Sequence, residues 1–107
     1  MTYNANTTAR IDGPGLRKPG VARQLAAGSS SANTALTTTC ERISIHCVSQ
    51  ACRYAIGTGA QTANASTSHF IAAAERLDLD VPLSANIAVI RDGNSDGTIE
   101  LTEFANY

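Results

Sequence analysis

Asp92, Asn94, Asp96, Thr98 and Glu103 stand at the ligand spacing of a twelve-residue EF-hand calcium loop. Asp92, Asn94 and Asp96 fall on positions one, three and five, and Gly97 on the sharp turn at six. Thr98 offers its carbonyl at seven, Ile99 is the apolar eighth residue, and Glu103 is the bidentate twelfth. Calcium takes about six to eight hard oxygens, and this spacing can wrap them round one point. The flanks point elsewhere. A calcium loop of this kind lies between two amphipathic helices, whereas Leu83–Arg91 is closer to alternation than to a helical stripe. After the loop, Phe104–Tyr107 supply about one helical turn. The preferred reading is therefore a hairpin, with strands Asn86–Arg91 and Thr98–Phe104 joined by a turn rich in Asp, Asn and Gly. Cation binding by the 92–103 loop is kept as the alternative.

Cys40, His46, Cys47, Cys52 and His69 are the other metal-ligating types. They lack the paired C-x2-C that sets two thiolates on one zinc ion. On a strand His46 and Cys47 point to opposite faces, which argues against both a shared metal and a Cys/His nucleophile pair. Cys47 and Cys52 flank a turn at Ser49-Gln50 and can face each other across a hairpin; all three cysteines read as small, buried, free apolar residues. Gly57-Thr58-Gly59 is a turn and not a phosphate loop. Asp78 and Asp80 share the outer face of one run as solvated residues. No catalytic constellation emerges, and the chain reads as non-enzymatic, with no cofactor required.

These residues are carried on runs of period two. Ile43, Ile45 and Cys47 alternate with Arg42, Ser44 and His46, and Leu77, Leu79 and Val81 alternate with Arg76, Asp78 and Asp80. Ile87 with Val89, and Ile99 with Leu101, repeat the pattern. Such runs bury one face and wet the other. The spacing predicts strands at Val21–Ala26, Thr34–Thr38, Arg42–Val48, Cys52–Ile56, His69–Ala72, Leu77–Val81, Asn86–Arg91 and Thr98–Phe104. About eight short strands make an all-β, antiparallel, jelly-roll-like sandwich over residues 21–107. Gly57–Ser68 reads as an exposed surface loop, and Pro82 ends a strand. Residues 1–20, with Gly13, Pro14, Gly15, Pro19 and Gly20, cannot pack a core and form an extended arm. An arm of this composition becomes ordered by lying on another surface, most simply a protein chain.

The 107 residues suffice for one domain. Of the residues, 43% are hydrophobic, much of that fraction is Ala, and there is no Trp. The core is thus thin, and association with copies of itself, as a dimer or trimer, would add to its stability. Net charge is −1, but residues 1–23 carry +3 and residues 75–107 carry −5. A basic head suits docking on an acidic protein surface through Arg10, Arg17, Lys18 and Arg23. Four cations without interleaved aromatics give no footprint for nucleic acid. Neither a long apolar span nor the apolar segment of a signal peptide is found, so no membrane is expected, and a reducing cytosol suits the odd number of cysteines. The sequons at Asn6 and Asn64 then carry no glycan.

From Cys52-Arg53-Tyr54-Ala55-Ile56-Gly57 onward the chain resembles a group of small virion proteins of tailed bacteriophages. The likeness runs through a Thr/Ala/Ser-rich loop, Ser68–Ala73, a strand closing on Val81-Pro82, the Ile87–Ile90 strand and Gly97–Glu103, and covers roughly residues 22–104. Where that group has a short Gly/Ser turn, this chain has Asp92–Asp96. The resemblance implies a non-enzymatic β-sandwich of the virion, assembled in the bacterial cytoplasm. Its expected job is capsid cement or decoration, with the major capsid protein as partner. A tail or fibre adaptor that binds glycans, or a calcium-binding module, are the alternatives.

Overall fold

A computed structural model describes residues 18–105 as eight β-strands and no helix. They are β1 (Pro19–Ala27), β2 (Ala32–Ala35), β3 (Arg42–Val48), β4 (Cys52–Thr58), β5 (His69–Ile71), β6 (Arg76–Asp80), β7 (Ala85–Arg91) and β8 (Gly97–Phe104). Two four-stranded sheets form, in the orders β1-β8-β3-β6 and β2-β7-β4-β5, and every pairing is antiparallel. The expected antiparallel sandwich is thus the fold.

The topology has a simple origin. β1 pairs with β8, β2 with β7, β3 with β6 and β4 with β5, as in one long ribbon doubled back at its middle. The ribbon is rolled so that β3 also meets β8 and β4 also meets β7. That is the jelly-roll arrangement, and only β4 and β5 are both consecutive and paired. All other connections pass from one sheet to the other.

Burial follows parity. In β3, Ile43, Ile45 and Cys47 are fully buried, and in β8 Ile99 and Leu101 answer them across the strand pair. Ile87 and Val89 of β7 and Cys52 and Tyr54 of β4 supply the facing layer. The space between the sheets is filled by these side chains, and at about 25 cal/mol per Å2 of apolar surface this burial is the main stabilising term. The outer face of the first sheet is polar, with Gln24, Glu100, His46 and Arg76 in one cross-strand row.

Three expectations need correction. Asn86–Arg91 and Thr98–Phe104 do not form a hairpin: β7 and β8 lie in opposite sheets, and residues 92–96 turn the corner between them. Period two reveals which face of a strand is buried but not which strand it pairs with, and Asp, Asn and Gly serve an inter-sheet corner as well as a hairpin turn. The Ser49-Gln50 turn is likewise a corner, with Ser49 at φ 71°. The segment 57–68 is mostly exposed, as expected, but it does not begin as a loop. β4 runs on to Thr58, and the loop then folds onto the outer face of the second sheet, where buried Ala63 packs on Ala88 and Ile90. Ser31 Oγ accepts from Ala63 N at 2.8 Å and Asn33 Oδ1 from Gln61 N at 2.9 Å, which hold the loop there.

Candidate functional site

The residues with the strongest electrostatic organisation lie where the chain enters the sandwich. β1 is an edge strand, and it contains an irregularity between Pro19 and Ala22, where one extra residue faces the partner strand. A bulge of this kind twists an edge and re-aims its side chains. Beside it opens a cleft of about 200 Å3 lined by Gly20, Val21, Thr37, Thr39, Phe104 and Glu103. Val21 remains 44% exposed.

Glu103 sits at the base of this cleft and is 3% exposed. It shares the parity of Ile99 and Leu101 and so points inward from β8. Its Oε2 accepts from Arg23 Nε at 2.9 Å and from Thr37 N at 3.1 Å. Burial alone would raise the carboxyl's pKa. The hydrogen bonds from Thr37 and Arg23, with the charge of Arg23, outweigh burial and hold it below the ordinary carboxylate value. Thr37 belongs to the β2–β3 connection, which Leu36 N→Ala85 O and Ser84 N→Thr38 O tie to the second sheet. The Arg23–Glu103–Thr37 network thus joins the β1–β8 edge to that connection. Nearby, Cys40 is buried, and desolvation pushes its thiol up.

Of the four cations expected to dock a partner, Arg23 is committed to this internal pair. Lys18 stands at the start of β1, where its carbonyl accepts from Ala105 N at 2.8 Å. Arg10 and Arg17 lie outside the described residues.

The five candidate calcium ligands of the alternative reading are not brought together. Asp92 pairs with Arg53 at 2.9 Å and Asp96 with Arg91 at 2.7 Å, while Glu103 is engaged six residues on from Gly97, along an extended strand. Six strand residues cover about 20 Å, far beyond one coordination sphere. Thr98 lies in β8, and Asn94 is exposed at the corner. Gly97 also does not take the left-handed conformation. Among the described residues no cluster of three or more His, Cys, Asp or Glu side chains can hold a metal ion. Millimolar calcium is expected to leave the melting temperature unchanged in a calorimetric titration. A rise that chelator reverses would contradict this account of the corner.

His46 faces outward from β3, between Glu100 and Arg76 in register, while Cys47 faces the core. The parity argument against a shared His46/Cys47 site therefore matches their placement. His69 stacks at 5.4 Å from Tyr54, at the exposed edge of the second sheet. On the outer face of that sheet, Arg53 lies 5.3 Å from the centre of the Phe70 ring and donates to Ser68 O at 2.9 Å. Phe70 is 48% exposed, which makes a small aromatic and cationic platform that alternation alone does not reveal.

No protein-family model, no curated protein and no solved structure matches this chain.

Proposed function

We propose that this protein is a non-enzymatic structural component of a bacteriophage virion, and specifically a capsid decoration protein that strengthens contacts between major capsid subunits. The observation that carries the reading is the open edge of the sandwich at Lys18 and β1, where the described chain begins. Residues 1–17 are joined to Lys18 at the start of an edge strand, beside an open cleft, on a sandwich whose interior is already filled. Jelly rolls serve in viral capsids and lectins, and the fold by itself does not choose among jobs. The edge placement favours a module that presents a segment to a neighbour. The bacteriophage assignment is supported by the sequence resemblance over residues 22–104.

In this mechanism Arg10, Arg17 and Lys18 pair with acidic groups on the shell, and the arm buries surface across a subunit junction. Arg23 contributes indirectly, by holding the cleft through Glu103. Weak contacts summed over many copies, and over a dimer or trimer of the chain, resist outward pressure on the shell. Assembly takes place in the bacterial cytoplasm and the product resides in the virion.

Removal of residues 1–17 is expected to leave the melting temperature of the sandwich within a few degrees and to weaken binding to the shell by about 100-fold, some 3 kcal/mol. Sedimentation of the truncated and full chains with empty shells at low and high salt measures this. Equal binding by the two chains would remove the arm from the mechanism.

A second virion position, a tail or fibre adaptor that binds glycans, is favoured by one observation, the half-exposed Phe70 ring beside the Arg53–Asp92 pair. Glycan-array binding abolished by Phe70→Ala would move the assignment there.

A further inference from the structure

Cys47 ends the buried face of β3 and Cys52 opens β4, so the two thiols belong to opposite sheets and are separated by one sharp corner. Their sulfur atoms lie 3.6 Å apart and both side chains are fully buried. The Gln50 carbonyl oxygen lies 2.8 Å from Cys47 Sγ and 3.2 Å from Cys52 Sγ, so the corner peptide holds both thiols at one point. Cys40 lies in the β2–β3 connection, against the carbonyl of Arg42, and takes no part in this pair.

We infer that Cys47 and Cys52 form a reversible intramolecular disulfide, with a low-molecular-weight disulfide such as oxidised glutathione as oxidant, and that this bond staples the two sheets at the β3–β4 corner. The sulfur atoms must close from 3.6 Å to the ordinary bond length of about 2.0 Å, which small side-chain rotations within one corner can supply. The exchange balances in two steps. One thiolate attacks a sulfur of the external disulfide, forming a mixed disulfide and expelling one glutathione thiolate. The second protein thiolate attacks the mixed disulfide, forming the Cys47–Cys52 bond and expelling the other. The protein pair loses two electrons and two protons, and the external disulfide gains both as two thiols.

Desolvation pushes both thiols up, Cys52 to about 12, so few thiolates exist in the folded protein at neutral pH. Oxidation is therefore favoured while the corner is open, during folding or refolding. In the folded, reduced protein the same burial protects the pair from larger oxidants and from metals.

The test uses the full chain, refolded from denaturant in buffer containing oxidised and reduced glutathione, then acid-quenched, alkylated and mapped by mass spectrometry without reduction. The expected product is a monomer with an intact mass lower by two hydrogens before alkylation, a Cys47–Cys52 linked peptide, and Cys40 as the alkylated thiol. Its melting temperature is expected to exceed that of the reduced chain by about 5–10 °C, and dithiothreitol is expected to abolish the difference. A Cys40→Ser chain, which keeps only the pair, is expected to give the same link. Alkylation of both Cys47 and Cys52, stable glutathione adducts on either, or bonds that involve Cys40 or a second chain would overturn the inference.

Discussion

Glu103→Ala is expected to destabilise the domain by about 3 kcal/mol, because removing one member of a buried ion pair leaves the other's needs unmet. Two donors lose their acceptor: Arg23 Nε, whose side chain is 27% exposed and can recover some water, and the backbone N–H of Thr37. The β2–β3 connection should loosen with it, since Thr37 lies between the links at Leu36 and Thr38. Glu103→Gln keeps the shape and one acceptor and should cost about half as much. The same network sets a pH dependence. The folded carboxyl titrates below its ordinary value of 4.5, so its contribution is complete above that pH and is lost as pH falls through the folded pKa. Denaturant melts of the parent and Glu103→Gln chains between about pH 3 and 7 check this. The parent should lose the network's contribution below about pH 4.5, and the variant should show a shallower acid limb. Equal acid limbs would show that Glu103 carries no special charge stabilisation.

Gly97→Val is expected to be as severe, at about 3 kcal/mol or more, with Gly97→Ala already costly. A Cβ at this position would stand 2.8 Å from the Gln50 carbonyl oxygen and 2.8 Å from Cys52 Sγ. The first neighbour is backbone, pinned by Gln50 N→Val48 O, so it cannot swing aside as a flexible side chain would. Glycine is required here for close approach between the 92–97 corner and the β3–β4 corner. Gly59 offers the contrast, with φ +79° and nothing within 4 Å of an added Cβ, so Gly59→Ala should cost only about 1 kcal/mol through backbone strain. Chemical denaturation of the three variants measures the ordering. A Gly97→Ala chain as stable as the parent would mean that the two corners do not meet as described.

Strand positions were legible because nearly every strand buries one face. β3 was expected at Arg42–Val48 and is found there, and β7 and β8 each begin one residue earlier than alternation indicates. β2 is shifted, from the expected Thr34–Thr38 to Ala32–Ala35, since its Thr and Ala residues carry little periodic signal. β1 begins at Pro19, inside the residues expected as arm, because an edge strand can accept a proline without losing a ladder bond. Strand partners were not legible. β8 joins β1 across most of the chain, and no local pattern announces a pairing at that separation.

The candidate site divides in the same way. Arg23 shares parity with Leu25, and Glu103 shares parity with Leu101, so both belong to buried faces. That signal is present in the sequence, but the spacing of Asp92 to Glu103 also fits a ligand set, and the charge of Arg23 by itself reads as an outward cation. The two side chains are 80 residues apart, and only the rolled ribbon brings them to 2.9 Å. The approach of Cys47 to Cys52 was foreseeable as a contact across a turn, but not as a contact between sheets.

The proposed decoration role is tested most directly by the copy number of this chain in purified particles of a phage found to carry its gene, counted by quantitative mass spectrometry against the major capsid protein. The expected number is comparable to that of the capsid protein. A handful of copies per particle, or none, would contradict it.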